Sequence, residues 1–180
     1  MQDCKFEPVK KFADAGLELP TRATEHSAGY DMAAAEDIII TPHSDLYLKL
    51  FANGGQKEIC DLDRINELIK QSSAKFNLVT TGMKCKLPKG YYLKLVPRSS
   101  LPLKHWLVMA NSEGIIDGDY YSNPDNDGEI MVQLINLSPY PIHIKKGDRI
   151  AQGIITPYEK TESDNATAKR VGGHGSTGER

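Results

Sequence analysis

Ile142-His143-Ile144-Lys145-Lys146-Gly147-Asp148-Arg149-Ile150-Ala151-Gln152-Gly153-Ile154-Ile155 is the stretch whose reading decides the fold. Two short apolar runs rich in isoleucine flank Lys146-Gly147-Asp148, residues that tolerate tight backbone angles. The runs are too short for helices and their β-branched content suits strands. The same pattern recurs at residues 38–40, 47–51, 91–96 and 130–134, with turn chemistry at Pro88-Lys89-Gly90 and Pro124-Asp125-Asn126-Asp127-Gly128. Strands at this spacing predict an all-β chain, a jelly-roll-like sandwich or barrel connected mostly by antiparallel hairpins.

One segment departs from that pattern. Leu62, Ile65, Leu68 and Ile69 recur at helical spacing after Asp61, a candidate N-cap, with Asp63 early and Lys70 late to complement the helix dipole. A short inserted helix over 61–72 is expected. Beyond Tyr158 apolar residues almost vanish while Gly, Ser, Thr and charges dominate, which predicts a flexible tail over 159–180 after a β domain spanning 1–158.

The 180 residues are 39% hydrophobic and 26% charged, enough to bury one core but short for two domains. No stretch has the length and apolarity of a signal h-region or a membrane span, so the expectation is a cytoplasmic protein without a membrane partner. A formal charge of -2 lacks the broad positive field that nucleic-acid binding draws on. Cys4, Cys60 and Cys85 are odd in number and lack zinc or redox spacing, so free buried thiols are expected. The five histidines lack the spacings of zinc sites. Anionic ligands must meet local charge, and Arg98 and Arg149 are the best candidates because each interrupts an apolar strand.

Five short polar segments stand beside apolar runs. In order they are Ala28-Gly29-Tyr30-Asp31, Pro97-Arg98-Ser99-Ser100-Leu101, Gly114-Ile115-Ile116-Asp117-Gly118-Asp119-Tyr120, Gly147-Asp148-Arg149-Ile150-Ala151-Gln152 and Arg170-Val171-Gly172-Gly173-His174-Gly175-Ser176-Thr177-Gly178. On residue chemistry alone, the glycine-rich tail offers backbone N–H groups and two hydroxyls able to wrap phosphate, without the lysine of a Walker A loop. Taken together and in order, the five segments resemble the motifs of the trimeric deoxyuridine triphosphate nucleotidohydrolases, the dUTPases. The stretch 46–75 lies outside the resemblance, and residues 121–127 lengthen a turn that is usually short.

The resemblance implies Mg2+-dependent hydrolysis of dUTP to dUMP and pyrophosphate by water attack on the α-phosphorus, in a homotrimer whose subunits share each active site. Asp117 is then the general base. Arg98 and Ser99 approach the phosphate chain, Ser100 lends a backbone N–H from a tight turn, and Gln152 bonds a phosphate. Asn111 reads the uracil edge, since an amide supplies both donor and acceptor. Tyr120 lies against the deoxyribose and excludes a 2′-hydroxyl. Arg170, Ser176 and Thr177 contact phosphates from a closing lid, and Asp31 holds Mg2+ through water. Structural roles fall to Asp119, Asp148 and Arg149. His174 stands where the family carries a stacking phenylalanine, so weaker lid closure is expected. Two other readings remain open: a dCTP deaminase-like enzyme, for which Glu113 is the nearby acid/base candidate, and a regulatory module that binds a protein partner through 46–75.

Overall fold

The computed structural model describes residues 4–44, 77–168 and 170. The expected helix over 61–72, the segment 46–75, Cys60, His174, Ser176 and Thr177 lie outside the described residues.

Twelve strands carry the fold: β1 Lys5–Pro8, β2 Thr21–Arg22, β3 Tyr30–Ala33, β4 Ile38–Ile40, β5 Leu78–Thr80, β6 Met83–Lys86, β7 Tyr91–Pro97, β8 Leu107–Met109, β9 Gly114–Ile116, β10 Met131–Asn136, β11 Ile142–Ile144 and β12 Arg149–Pro157. The largest sheet runs β2-β3-β12-β7-β9, and β5-β10-β8, β1-β6 and β11-β4 complete the jelly roll. Met32, Ile40, Leu93, Leu95, Leu107, Ile130, Leu134 and Ile150 are almost fully buried between the sheets. Along β10, side chains alternate inward and outward as a strand with one buried face requires. Asn136 at its end is buried yet satisfied: its amide donates to the carbonyls of Ile40 (3.0 Å) and Tyr140 (2.8 Å) and accepts from Ser138.

Two expectations need correction. Among the described strands every ladder is antiparallel, but only β2 and β3 join neighbours in sequence. Chain connections instead cross between sheets, because consecutive strands must cover opposite sides of one core. Ser100 does not occupy a simple turn: it opens a six-residue helix, α1 Ser100–His105, that ends at Trp106 with φ 55°. Pro102 falls in the first helical turn, where its missing N–H costs nothing, so the proline that reads as a breaker helps set the helix.

The β12–β3 ladder carries an irregularity that matters for the site. Arg149 pairs with Ala33, Ala151 with Met32 and Gln152 with Asp31, so one extra residue sits between Arg149 and Ala151. Three positions apart on a regular strand, Arg149 and Gln152 would face opposite sides. The bulge turns both toward Asp31.

Candidate active site

The first group of polar residues forms where β9 ends. Asp117 caps a 3-10 turn, Gly118–Tyr120, and keeps extended backbone angles. Its carboxylate and the amide of Asn111 share a cavity of about 250 Å3 with the ring of Tyr120. Leu95, Met109 and Ile116 supply apolar walls. Gly114 is needed for the shape: a Cβ there would stand 3.1 Å from the Leu95 Cβ and 3.6 Å from the Asn111 amide nitrogen. Next to Gly114 in sequence, Glu113 forms an ion pair with Lys94 at 3.1 Å, and its bond raises the lysine pKa above the ordinary value.

Arg170 reaches this cavity from the tail. Its guanidinium bonds Asp117, donates from Nε to Asp119 at 2.9 Å, and lies 5.8 Å above the Tyr120 ring. The bond to Asp119, with both carboxylates near, holds the guanidinium still more firmly in its charged form. Asp119 thus forms an ion pair with Arg170. Arg170 can reach because β12 delivers the chain to this end: Pro157 pairs with Tyr91, and the Tyr158 N–H donates to the Gly90 carbonyl at 3.0 Å.

Tyr120 is 6% exposed, and its hydroxyl donates to the Glu129 carbonyl at 2.9 Å. Burial pushes its pKa up, keeping the phenol neutral. The long segment after it is a built structure. Lys84, only 8% exposed, places its ammonium 3.0 Å from both oxygens of Asp127 and 5.0 Å over the Tyr121 ring. Burial by itself raises the Asp127 pKa, but the Lys10 backbone N–H at 2.9 Å and the Lys84 ammonium outweigh it, holding the carboxyl below its ordinary value. Tyr121 bonds Glu7 of β1.

The second group lies on the large sheet around Asp31. Arg149 Nη1 donates to Asp31 Oδ2 at 3.0 Å and Gln152 Nε2 to Oδ1 at 3.3 Å. Arg98 Nε lies 3.1 Å from Oδ1, but its N–H is not aimed at the oxygen, so attraction there is ionic and the buried N–H stays without a hydrogen-bond acceptor. Gly29 lets Gln152 pack close, since a Cβ would stand 3.0 Å from the glutamine Cβ. Ser99 is exposed at the head of α1, and its hydroxyl makes no cap bond. Asp148 accepts from the Lys145 N–H at 2.8 Å and serves the turn, as expected.

Within one chain the two groups stand apart. Ile116 pairs with Leu93, which sets Asp117 beside Tyr92, whereas Arg98 follows the far end of the same strand. At about 3.3 Å per residue, Tyr92 and Arg98 are roughly 20 Å apart. Asn111, Asp117, Tyr120 and Arg170 are brought together, as are Asp31, Arg98, Arg149 and Gln152. Lys84, Asn126 and Asp127 escaped the sequence reading: Asp127 has only turn propensity to mark it, and Lys84 looks like an ordinary surface lysine. Cys85 and Cys4 are free thiols in contact, and burial pushes both up.

The dUTPase family profile matches residues 59–178. The deoxyuridine 5'-triphosphate nucleotidohydrolase of Lactococcus lactis subsp. lactis is 37% identical over 175 residues, covering 96% of this chain and 96% of the relative. That of Rickettsia felis is also 37% identical, over 94% of this chain and 95% of its own. The crystal structure of dUTPase from Streptococcus mutans superposes with a TM-score of 0.67 at 32% identity, over 88% of this chain and 99% of that one. With the order of its five motifs, its jelly-roll sheets and relatives matched over nearly their full length, the chain belongs to the dUTPase family.

Proposed function

We propose that this chain is a cytoplasmic dUTP diphosphatase that hydrolyses dUTP to dUMP and pyrophosphate as a Mg2+-dependent homotrimer. The observation that carries this reading is one cavity that holds an amide, an aromatic wall and a carboxylate paired with the guanidinium of Arg170. Asn111 meets the donor and acceptor pattern of uracil, and a pocket that bonds the N3–H leaves groups unpaired when cytosine enters. Tyr120 faces the sugar. Asp117 takes a proton from the water whose oxygen bonds to the α-phosphorus, and the bridging P–O bond breaks with its electron pair leaving on pyrophosphate. Positioning and charge neutralisation dominate such transfers, so an ordinary carboxylate suffices. Arg170 would exchange Asp117 for phosphate oxygens when nucleotide arrives, freeing the base.

Arg98, Ser99 and Gln152 suit a phosphate chain, because a guanidinium fork matches its oxygens, while Arg149 keeps a structural role on Asp31. Along β7, Arg98 lies roughly 20 Å and Gln152, opposite Val96, roughly 13 Å from the level of Asp117, a span that favours their serving a nucleotide seated in another chain's cavity. A neighbouring subunit would bring its Asp31 group to this pocket, with the tail residues Ser176 and Thr177 closing over the phosphates and His174 against the base.

The donor set around Asp31 fits Mg2+ held mainly by the nucleotide. One carboxylate beside phosphate-binding cations is enough for an ion that keeps its waters, and among the described residues there is no group of three His, Cys, Asp or Glu side chains. Asp31 would hold the ion through water, and the ion would supply charge neutralisation on the phosphates.

Pyrophosphate release from dUTP, dCTP, dTTP and UTP, with and without Mg2+, tests the reading. Turnover of dUTP alone supports it; ammonia from dCTP would instead establish deamination, and a folded protein inert toward all four would remove the enzyme reading.

A further inference from the structure

The segment that follows Tyr120 has no role in the reading above, yet it is the most heavily bonded loop of the described chain. We propose that Asn126 is a positioning residue that, by anchoring the Tyr120 hydroxyl, sets discrimination between deoxyribo- and ribonucleotides; this rests on the site reading given under Proposed function. The Tyr120 hydroxyl accepts from Asn126 Nδ2 at 2.7 Å while donating to the Glu129 carbonyl. Asn126 is itself held: its Oδ1 accepts from the Gly128 N–H at 3.2 Å and from Asn123 Nδ2 at 2.7 Å. Asn123 closes the circuit by donating to the Tyr120 carbonyl at 3.0 Å. The ring that lines the cavity is therefore fixed at its backbone and at its far tip.

That arrangement matters because a 2′-hydroxyl is rejected by contact. A steric wall discriminates only as far as it refuses to yield, and a tyrosine with a free tip gives way by turning about two side-chain bonds. The loop is stiff against that motion. Lys84 and the Lys10 N–H grip Asp127, and Gly128 at φ +80° brings its backbone against Tyr120 so closely that a Cβ would stand 2.7 Å from the tyrosine carbonyl.

The test is the ratio of kcat/KM for dUTP over UTP in Asn126→Asp, Tyr120→Phe and the double variant. Aspartate retains an oxygen for Gly128 and Asn123 but turns the donor into a second acceptor, so the one proton of the Tyr120 hydroxyl can serve either that carboxylate or the Glu129 carbonyl and one of its two anchors is lost. The expected result is a fall of about tenfold or more in the ratio for Asn126→Asp, through faster UTP turnover, with dUTP kcat within about twofold of the unaltered protein. Tyr120→Phe lowers the ratio in the same direction, and adding Asn126→Asp to it changes nothing further, because the shared bond is already gone. A ratio unchanged in either single variant overturns the proposal, as does an Asn126→Asp effect that persists undiminished in the Tyr120→Phe background. If Asn126→Asp fails to fold, Asn126→Ala, which deletes the donor and leaves the Glu129 bond of Tyr120 in place, carries the test with the same expected and overturning outcomes. An unaltered protein inert toward dUTP would remove the site reading itself, an outcome distinct from an active enzyme with an unmoved ratio.

Discussion

Asn111, Asp117 and Tyr120 fall within a single run of sequence wrapped around β9, whereas Asp31, Arg98, Arg149 and Gln152 come from or beside three different strands and meet only through sheet pairing. The first region is a short connection between β8 and β9, strands that pair with different partners, and it lines a cavity whose other walls come from Leu95 of β7 and residues 131–133 of β10. The second is a meeting point, where one carboxylate restrains two guanidiniums and an amide until a ligand replaces it. Residues near in sequence are enough to line the cavity, but gathering the ionic group around Asp31 takes strands distant in sequence. The two regions stand apart along β7, and in the proposed trimer each would be half of a site.

The sharpest way to break this comparison is Asp117→Asn, expected to lower kcat for dUTP by about a thousandfold, measured as pyrophosphate release with an unchanged melting temperature. Mixing that variant with Arg98→Ala after joint refolding tests whether the halves belong to different subunits. Shared sites restore activity at about a quarter of them under random assembly, while sites confined to one chain restore none. Gly128→Ala forces a side chain into a backbone at φ +80°, where a Cβ meets the Ser122 nitrogen at 2.6 Å. It should cost about 3 kcal/mol in denaturant unfolding and loosen the wall of the first region. Asp31→Asn, in the second, should cost about 1–3 kcal/mol, mostly through the more buried Arg98.

The smallest expected effect is on pH. Asp127 has a depressed pKa in the folded chain, so its contribution to stability is present above its unfolded value of 3.8 and is lost as pH falls through the lower folded value. Unfolding curves taken between neutral and strongly acidic pH should show that loss, and Asp127→Asn should flatten it.

Legibility followed the range of the interactions. Strands β4, β7, β11 and β12 emerge from apolar runs because periodicity and turn residues are local. The carboxylate, amide and tyrosine of the first region are equally plain, since residues this near in sequence stay near across the short β8–β9 connection. Helix α1 was missed because Pro102 in its first turn reads as a stop. Lys84 was missed because nothing nearby reveals a partner at Asp127.

The sequence by itself determined an all-β chain, the ordered motifs of its family and the residue types from which the two polar groups are built. Only tertiary structure decided how those residues face one another. Arg149 and Gln152 reach the same carboxylate because a bulge in β12 inserts one residue between them, and no periodic reading of the strand foretells it. The physical reason is that side-chain direction in a sheet depends on register with the partner strand, and register is a property of the pair.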